Sequence, residues 1–243
     1  ALRSAIESGI TAPSTVLLKD TSQRTAFPVW GADAGFGHGT LTGSGDIRLV
    51  PDLSTFRILP WSTTSGWVLC DVANVDGTPL PFAPRTVRKQ AVQQLASAGY
   101  HMVAGLEVEF HIFELADPRK TPASGGMPAE APDVAYLTRN NELLGEARYD
   151  ALEQIIDQLR AHCVALDLPV RAVEAEFGPS QVEFVFDPAG PLEQADAMVL
   201  FRSMVKQVCA RQGLHATFMC QPKLNACAAS GWPLHQSIVE TAT

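Results

Sequence analysis

Missing from this chain is any uninterrupted apolar run of the roughly 20 residues that a bilayer-spanning helix needs. Its first residues also lack the basic-then-apolar order of a secretory leader. Positive charge is in short supply, with 18 Lys and Arg against 26 Asp and Glu and a net charge of −8. That balance argues against nonspecific attraction to nucleic acid or to an anionic membrane. The five cysteines, Cys70, Cys163, Cys209, Cys220 and Cys227, are odd in number and lack CxxC spacing. They read as reduced thiols, and a cytoplasmic protein is expected. No Gly-x-Ser-x-Gly elbow and no convincing Cys-His arrangement supports nucleophilic catalysis. The glycine-rich Gly35-Phe-Gly-His-Gly39 superficially looks like a phosphate loop, but it lacks the GK[ST] ending and a following helix. What is present, 46% hydrophobic and 18% charged residues over 243 positions, describes a globular chain with core enough for one large or two modest domains.

Gly105-Leu-Glu-Val-Glu-Phe-His-Ile-Phe113 carries the most information, because it alternates charged and apolar residues. Side chains in a strand switch faces at every residue, so Leu106, Val108, Phe110 and Ile112 share one face and Glu107, Glu109 and His111 the other. The two carboxylates stand about 6.6 Å apart along the strand, at about 3.3 Å per residue. Like charges so placed raise each other's pKa unless a cation intervenes, and Mg²⁺ or Mn²⁺ with carboxylate oxygens is one such arrangement. A solvated strand face is the other reading. His111 fits a role behind the ligands, or a solvated one, better than that of a ligand. A second segment, Glu174-Ala-Glu-Phe-Gly-Pro-Ser-Gln-Val-Glu-Phe-Val-Phe186, holds a Gly-Pro-Ser turn and then another alternating strand. There Val182, Phe184 and Phe186 oppose Gln181 and Glu183, with Glu176 ahead of the turn. Four carboxylates, Glu107, Glu109, Glu176 and Glu183, on two strands with apolar backs, are candidates for a metal cage.

The chain divides near Arg85. Before it, short β-like runs are broken by glycine: Thr15–Lys19, Phe27–Trp30, Ile47–Val50 and Trp67–Cys70, with a turn at Asp76-Gly77. Pro79, Pro81 and Pro84 suggest a linker. Beyond it, Thr86–Ala98 is expected to be a helix with Val87, Ala91, Leu95 and Ala98 as its apolar stripe, stopped by Gly99. Asp117–Ala135 reads as a long loop. Tyr149–Leu166 is expected to be helical with Leu152, Ile155, Ile156, Leu159 and Cys163 inward, and Leu192–Gln212 helical with Met198, Phe201, Met204, Val205 and Val208 as its core stripe. The expected architecture is α+β, a small β domain followed by an α/β catalytic layer.

Taken in order, Gly105-Leu-Glu-Val-Glu-Phe, Glu176-Phe-Gly-Pro-Ser-Gln-Val-Glu183, Ala216-Thr-Phe-Met and Ser230-Gly-Trp-Pro-Leu-His-Gln-Ser237 resemble successive signatures of the glutamine synthetase family. Gly43-Ser-Gly-Asp-Ile-Arg-Leu-Val-Pro-Asp52, Leu59-Pro-Trp61 and Cys70-Asp71 resemble its amino-terminal β-grasp domain, and the Ser-Gly-Trp-x-Leu-His-Gln-Ser wording resembles the type III or γ-glutamyl-amine ligase-like branch. The resemblance implies a β-grasp domain over residues 1–85 and the first part of a catalytic domain over 86–243. It implies a ligase that uses ATP to activate the γ-carboxylate of glutamate for attack by ammonia or an amine, with two Mg²⁺ or Mn²⁺ sites. By resemblance Glu109, Glu176 and Glu183 hold one ion and Glu107 the other, while His235 and Ser237 contact the nucleotide. A homo-oligomeric ring is implied in the full-length form.

Departures from the pattern are as informative. Pro233 stands where the family places the first histidine of a His-x-His pair, and proline has no side-chain donor atom for a metal. Ser180 stands where glycine is common, and Arg171 where a nucleotide-contacting glutamate often sits. No secure counterpart of the family's ammonium-deprotonating aspartate appears, Asp33 and Asp46 being the candidates. Lys223 reads equally as a phosphate contact or as surface charge. The family's catalytic domain continues past the position of Thr243, so a piece of a longer enzyme, inactive alone, is expected. The alternatives are a degenerate homologue that binds metal or nucleotide or assembles with active subunits, and an unrelated metal-dependent enzyme.

Overall fold

The computed structural model describes residues 2–17, 19, 24, 44–117, 121–126, 129–139 and 141–241. Gly35–Gly39 with His38, Asp33 and the run Phe27–Trp30 lie outside the described residues. The chain forms two compact units, one of Ala1–Arg57, Trp67–Ala91 and Lys120–Ala131, the other of Ile58–Gly66, Val92–Arg119 and Pro132–Thr243.

In the first unit, helix α1 (Leu2–Ser8) leads into β1 (Ile10–Pro13), which pairs antiparallel with β2 (Asp46–Pro51). β2 pairs in turn with β5 (Cys70–Asn74), giving a three-stranded sheet in the order β1-β2-β5. Ile47, Leu80 and Ala83 form its buried core, with Ala12, Leu17, Leu49, Val72 and Phe82 packed around them. Two expected strands are corrected here. Thr15–Lys19 is not one strand: Pro13 ends β1 and a 3₁₀ turn covers Ser14–Val16, while Leu18 lies outside the described residues. Trp67–Cys70 is no single strand either. β4 (Ser62–Trp67) ends on its first residue and β5 starts on its last, because the Leu69 N–H bonds the Thr55 hydroxyl and its carbonyl accepts from Asp52 N–H.

Helix α2 (Pro84–Ser97) opens on a proline, whose missing N–H is unneeded in a first turn, and ends at Gly99, whose φ of +83° suits only glycine without strain. The helix is where periodicity placed it, but the expected buried stripe is wrong. Val87 is 49% exposed, and Ala91 and Ala98 are also exposed, whereas Thr86 is buried. Polar anchoring decides the rotation. Arg85 bridges Asp52 and Asp71 at 2.6 Å each, and Lys89 reaches Asp71 at 2.6 Å.

The second unit is built on one strand. β6 (Tyr100–Leu115) runs for 16 residues and pairs antiparallel with every neighbour it has among the described strands. β11 (Leu234–Glu240) lies against residues 100–106, β9 (Gln181–Phe186) against 107–111, β10 (Leu214–Thr217) against 111–114 and β7 (Val134–Tyr136) against 113–115. β8 (Val170–Ala175) pairs outside β9. β3 (Arg57–Leu59) and β4 form a separate two-stranded ribbon. The expected loop 117–135 therefore ends in strand β7, which periodicity could not show in three residues.

Helices α3 (Glu146–Ala165) and α4 (Pro191–Arg211) carry the core. Every residue predicted for their inner stripes is buried. α4 starts at Pro191, with the Glu193 carboxylate accepting the Gly190 N–H at 2.9 Å. Phe201 sits 5.1 Å from Phe184, 5.1 Å from Phe186 and 5.8 Å from Phe110, edge-on or tilted, so strand and helix interlock through aromatic rings. No described helix is long and apolar enough to cross a membrane.

The charge cluster around Arg85 yields a measurable sign. Hydrogen bonds from Ser54 and then Arg85 lower the Asp52 pKa from 3.8 to about 2. Its stabilisation is therefore complete above the unfolded value and is lost as pH falls through the folded one. Arg85→Met should remove about 1 kcal/mol at neutral pH, and flatten the loss of stability between pH 3.8 and about 2, as read by chemical denaturation across that range.

Candidate functional site

Antiparallel pairing of β6 with β9 sets Glu109 directly opposite Glu183, and β8 sets Glu174 opposite Glu183 on its other side. Residues opposite one another share a face. Val108, Phe184 and Val173 make the parallel row on the core side. One face of the sheet is thus closed by α3 and α4 and the other carries carboxylates.

Glu183 is the focus. It is 8% exposed. Burial, a hydrogen bond with Glu176 and the charges of Glu176, Glu107 and Glu109 push its carboxyl up to about 8. The other three carboxylates singled out from the sequence therefore all act on Glu183. Glu176 sits in the turn after β8, one of its oxygens accepting the Phe177 N–H at 2.8 Å. Glu109 Oε2 accepts from Gln181 Nε2 at 2.9 Å and from Gly231 N at 3.0 Å. Glu107 Oε1 lies 3.2 Å from His235 Nε2, and Ser237 follows His235 one pleat along β11, in register with Val103. Among the described residues, no three His, Cys, Asp or Glu side chains converge into a preformed metal cage.

The remaining candidates fall outside this centre. Pro233 contributes only backbone, its carbonyl accepting the Glu107 N–H at 3.2 Å. Arg171 is exposed on edge strand β8, and Lys223 is exposed in the turn before Leu224. Ser180 is fully buried at φ 60°, and its hydroxyl accepts from Leu137 N and Thr138 N at 2.7 and 3.2 Å. Asp46 begins β2 in the other unit. His111 is wholly buried, so the solvated reading of it is wrong. Its imidazole contacts Ser230 Oγ at 3.2 Å and Cys227 Sγ at 3.3 Å, and burial pushes its pKa down to about 4, leaving it neutral.

Sequence reasoning missed three residues here. Glu174 carried a signal, since it alternates with Glu176 as Glu107 does with Glu109. Ser230 was read only as part of a motif. Arg148 carried no signal at all: a first-turn arginine on an amphipathic helix reads as solvated, yet it is buried. Its guanidinium donates to the carbonyls of Glu142, Phe177 and Gly178, pinning the turn that presents Glu176. Burial lowers its pKa, while the charges of Glu142 and Glu176 oppose that shift. A cavity of about 300 Å³ lies beside β8, lined by Glu174 with Glu146, Tyr149, Asp150 and Glu153 of α3, and none of the other four carboxylates lines it.

An antiparallel sheet with helices on one face and clustered acidic residues on the other defines an α+β domain with an open acidic face. The family model for the catalytic domain of glutamine synthetase matches residues 81–243. The chain is 39% identical over 219 residues to γ-glutamylanilide synthase of Acinetobacter sp, covering 87% of this chain and 44% of that protein. It is 27% identical to glutamate–isopropylamine ligase of Pseudomonas sp, covering 83% and 42%. The fold superposes on a solved GmaS/ADP complex with a TM-score of 0.75 at 24% identity, over 99% of this chain and 48% of that one. The chain belongs to the glutamine synthetase family and spans a little under half the length of these relatives.

A pH effect follows from Glu183. With a folded pKa of about 8 against 4.5, the native state keeps a proton that the unfolded chain releases. Stability measured in a chelator should therefore fall as pH rises from 4.5 to about 8. Glu183→Gln should flatten that fall, as read from denaturation midpoints across the range.

Proposed function

We propose that the protein acts as an ATP-dependent ligase joining the γ-carboxylate of glutamate to ammonia or an amine through γ-glutamyl phosphate. Residues 1–85 serve as a β-grasp-like domain in this reading and residues 86–243 as part of the catalytic domain. The observation that carries it is the crowding of Glu107, Glu109 and Glu176 around a buried Glu183, whose pKa rises to about 8. Hard oxygen donors in that density suit Mg²⁺ or Mn²⁺, which remove the repulsion they otherwise suffer. Glu109, Glu176 and Glu183 would hold one ion and Glu107 a second. Such ions neutralise phosphate charge as it moves from ATP to the glutamate carboxylate. His235, beside Glu107, and Ser237 would meet the nucleotide. Similarity to γ-glutamylanilide synthase and glutamate–isopropylamine ligase favours an organic amine as acceptor. A homo-oligomeric ring and a cytoplasmic setting belong to the same reading, with no part for nucleic acid or membrane.

Pro233 favours a second reading, a homologue that binds metal or nucleotide without turnover, because it offers no nitrogen ligand to the second ion. Phosphate release from ATP separates the two. Release that requires both glutamate and an amine (ammonia, isopropylamine or aniline), with γ-glutamyl amide formed in step, supports the ligase. Nucleotide binding without such release supports the second reading. Under either, Glu183→Gln should weaken Mn²⁺ binding at least tenfold, since loss of a group that merely orients a ligand already costs about 10- to 100-fold. An unchanged Mn²⁺ titration removes Glu183 from the site.

A further inference from the structure

Resting on the metal-holding reading above, we propose that Gln181 is a positioning residue. Its buried amide holds one oxygen of Glu109 and so presents the other as the ligand.

Gln181 is 1% exposed and opens β9, in register with His111. Both ends of its amide are committed. The Gly178 N–H donates to Oε1 at 2.9 Å, which identifies that end as the oxygen. Nε2 therefore faces Glu109 Oε2 at 2.9 Å, the Ala229 carbonyl at 2.9 Å and Ser230 Oγ at 3.2 Å. One side chain thus joins the turn after Glu176, strand β6 and the segment leading into β11. The amide adds a side-chain tie to the backbone bond from the Glu109 N–H to the Gly231 carbonyl at 3.2 Å.

The Glu109 carboxylate receives a second donor at the same oxygen, the Gly231 N–H at 3.0 Å. Gly231 can come this close because it has no side chain: a Cβ there would stand 3.1 Å from Oε1 and 3.3 Å from the Pro233 ring. Among the described residues both donors go to Oε2, so the carboxylate is clamped at one oxygen, and Oε1 is left to a cation. The clamp is itself supported. Ser230 Oγ, in reach of Gln181 Nε2, also meets the buried, neutral His111. His111, Ser230, Gln181 and Glu109 form a continuous polar chain inside the sheet. A fully satisfied buried network of this kind rigidifies what it touches. Partners that orient a ligating carboxylate act on metal affinity without touching the metal.

Gln194 provides the control. It too is a buried glutamine, and its amide bonds the carbonyls of Ala104 and Asp187, away from the carboxylates. Mn²⁺ titration followed by electron paramagnetic resonance should be run on the full chain and on Gln181→Met, Gln181→Glu and Gln194→Met. Gln181→Met removes the donor. Gln181→Glu keeps shape and volume but turns the donor into an acceptor, and a thermal melt of each variant establishes that it folds. Both should weaken Mn²⁺ binding about 10- to 100-fold, whereas Gln194→Met loses thermal stability and keeps its affinity. Wild-type affinity in either Gln181 variant, or an equal loss in Gln194→Met, overturns the positioning role and leaves the metal site standing. Failure of the wild-type chain to bind Mn²⁺ overturns the metal reading and this inference with it.

Discussion

The pairing of β6 with β9 in the register that sets Glu109 against Glu183 is the constraint on which the rest depends. A slip of one residue would carry Val108, Phe110, Val182 and Phe184 out of the core and put the carboxylates into it. The apolar side settles the matter, since Phe110, Phe184 and Phe186 close around Phe201 of α4. Burying a phenylalanine side chain contributes about 1.5–3 kcal/mol. Hydrophobic packing therefore fixes the electrostatics of the opposite face, and the acidic cluster is held together by forces acting behind it.

Local polar bonds then shape the cluster. Arg148 ties down the turn bearing Glu176 by donating to the carbonyls at Phe177 and Gly178, so the terminal nitrogens of a buried guanidinium are bonded to backbone rather than to a carboxylate. Gln181 and Gly231 gather the strand, the turn and the approach to β11 around Glu109. None of these groups relieves Glu183, whose carboxyl is pushed up to about 8 by burial, by its hydrogen bond with Glu176 and by the charges of Glu176, Glu107 and Glu109.

The parts of the fold that were legible had long, consistent patterns. The alternation at 105–113 and 181–186 placed both faces of two strands, and the 3–4 spacing of α3 and α4 placed their inner stripes. α2 shows the limit. Its spacing gave the right element and the wrong buried side, because Arg85 and Lys89 anchor it through Asp52 and Asp71. Short pieces failed for a related reason. Strand β7 and the break at Val68-Leu69 are set by hydrogen bonds to distant residues, which three or four positions cannot announce.

Within the site the division is sharper. The sequence by itself determined which carboxylates belong together, because Glu107, Glu109, Glu176 and Glu183 occupy one parity of two alternating strands and the turn before them. It also determined that Pro233 brings no donor, a fact of covalent chemistry. Only the tertiary structure decided that Glu174 lies opposite Glu183, that His111 is buried and neutral rather than solvated, and that Arg148 and Gln181 tie the turns to the sheet. Periodicity reports the face a side chain takes within its own strand. Which partner stands across from it, and how far water is shut out, depend on strand register and loop closure between residues as far as 122 positions apart, and the alternation within one strand does not encode them.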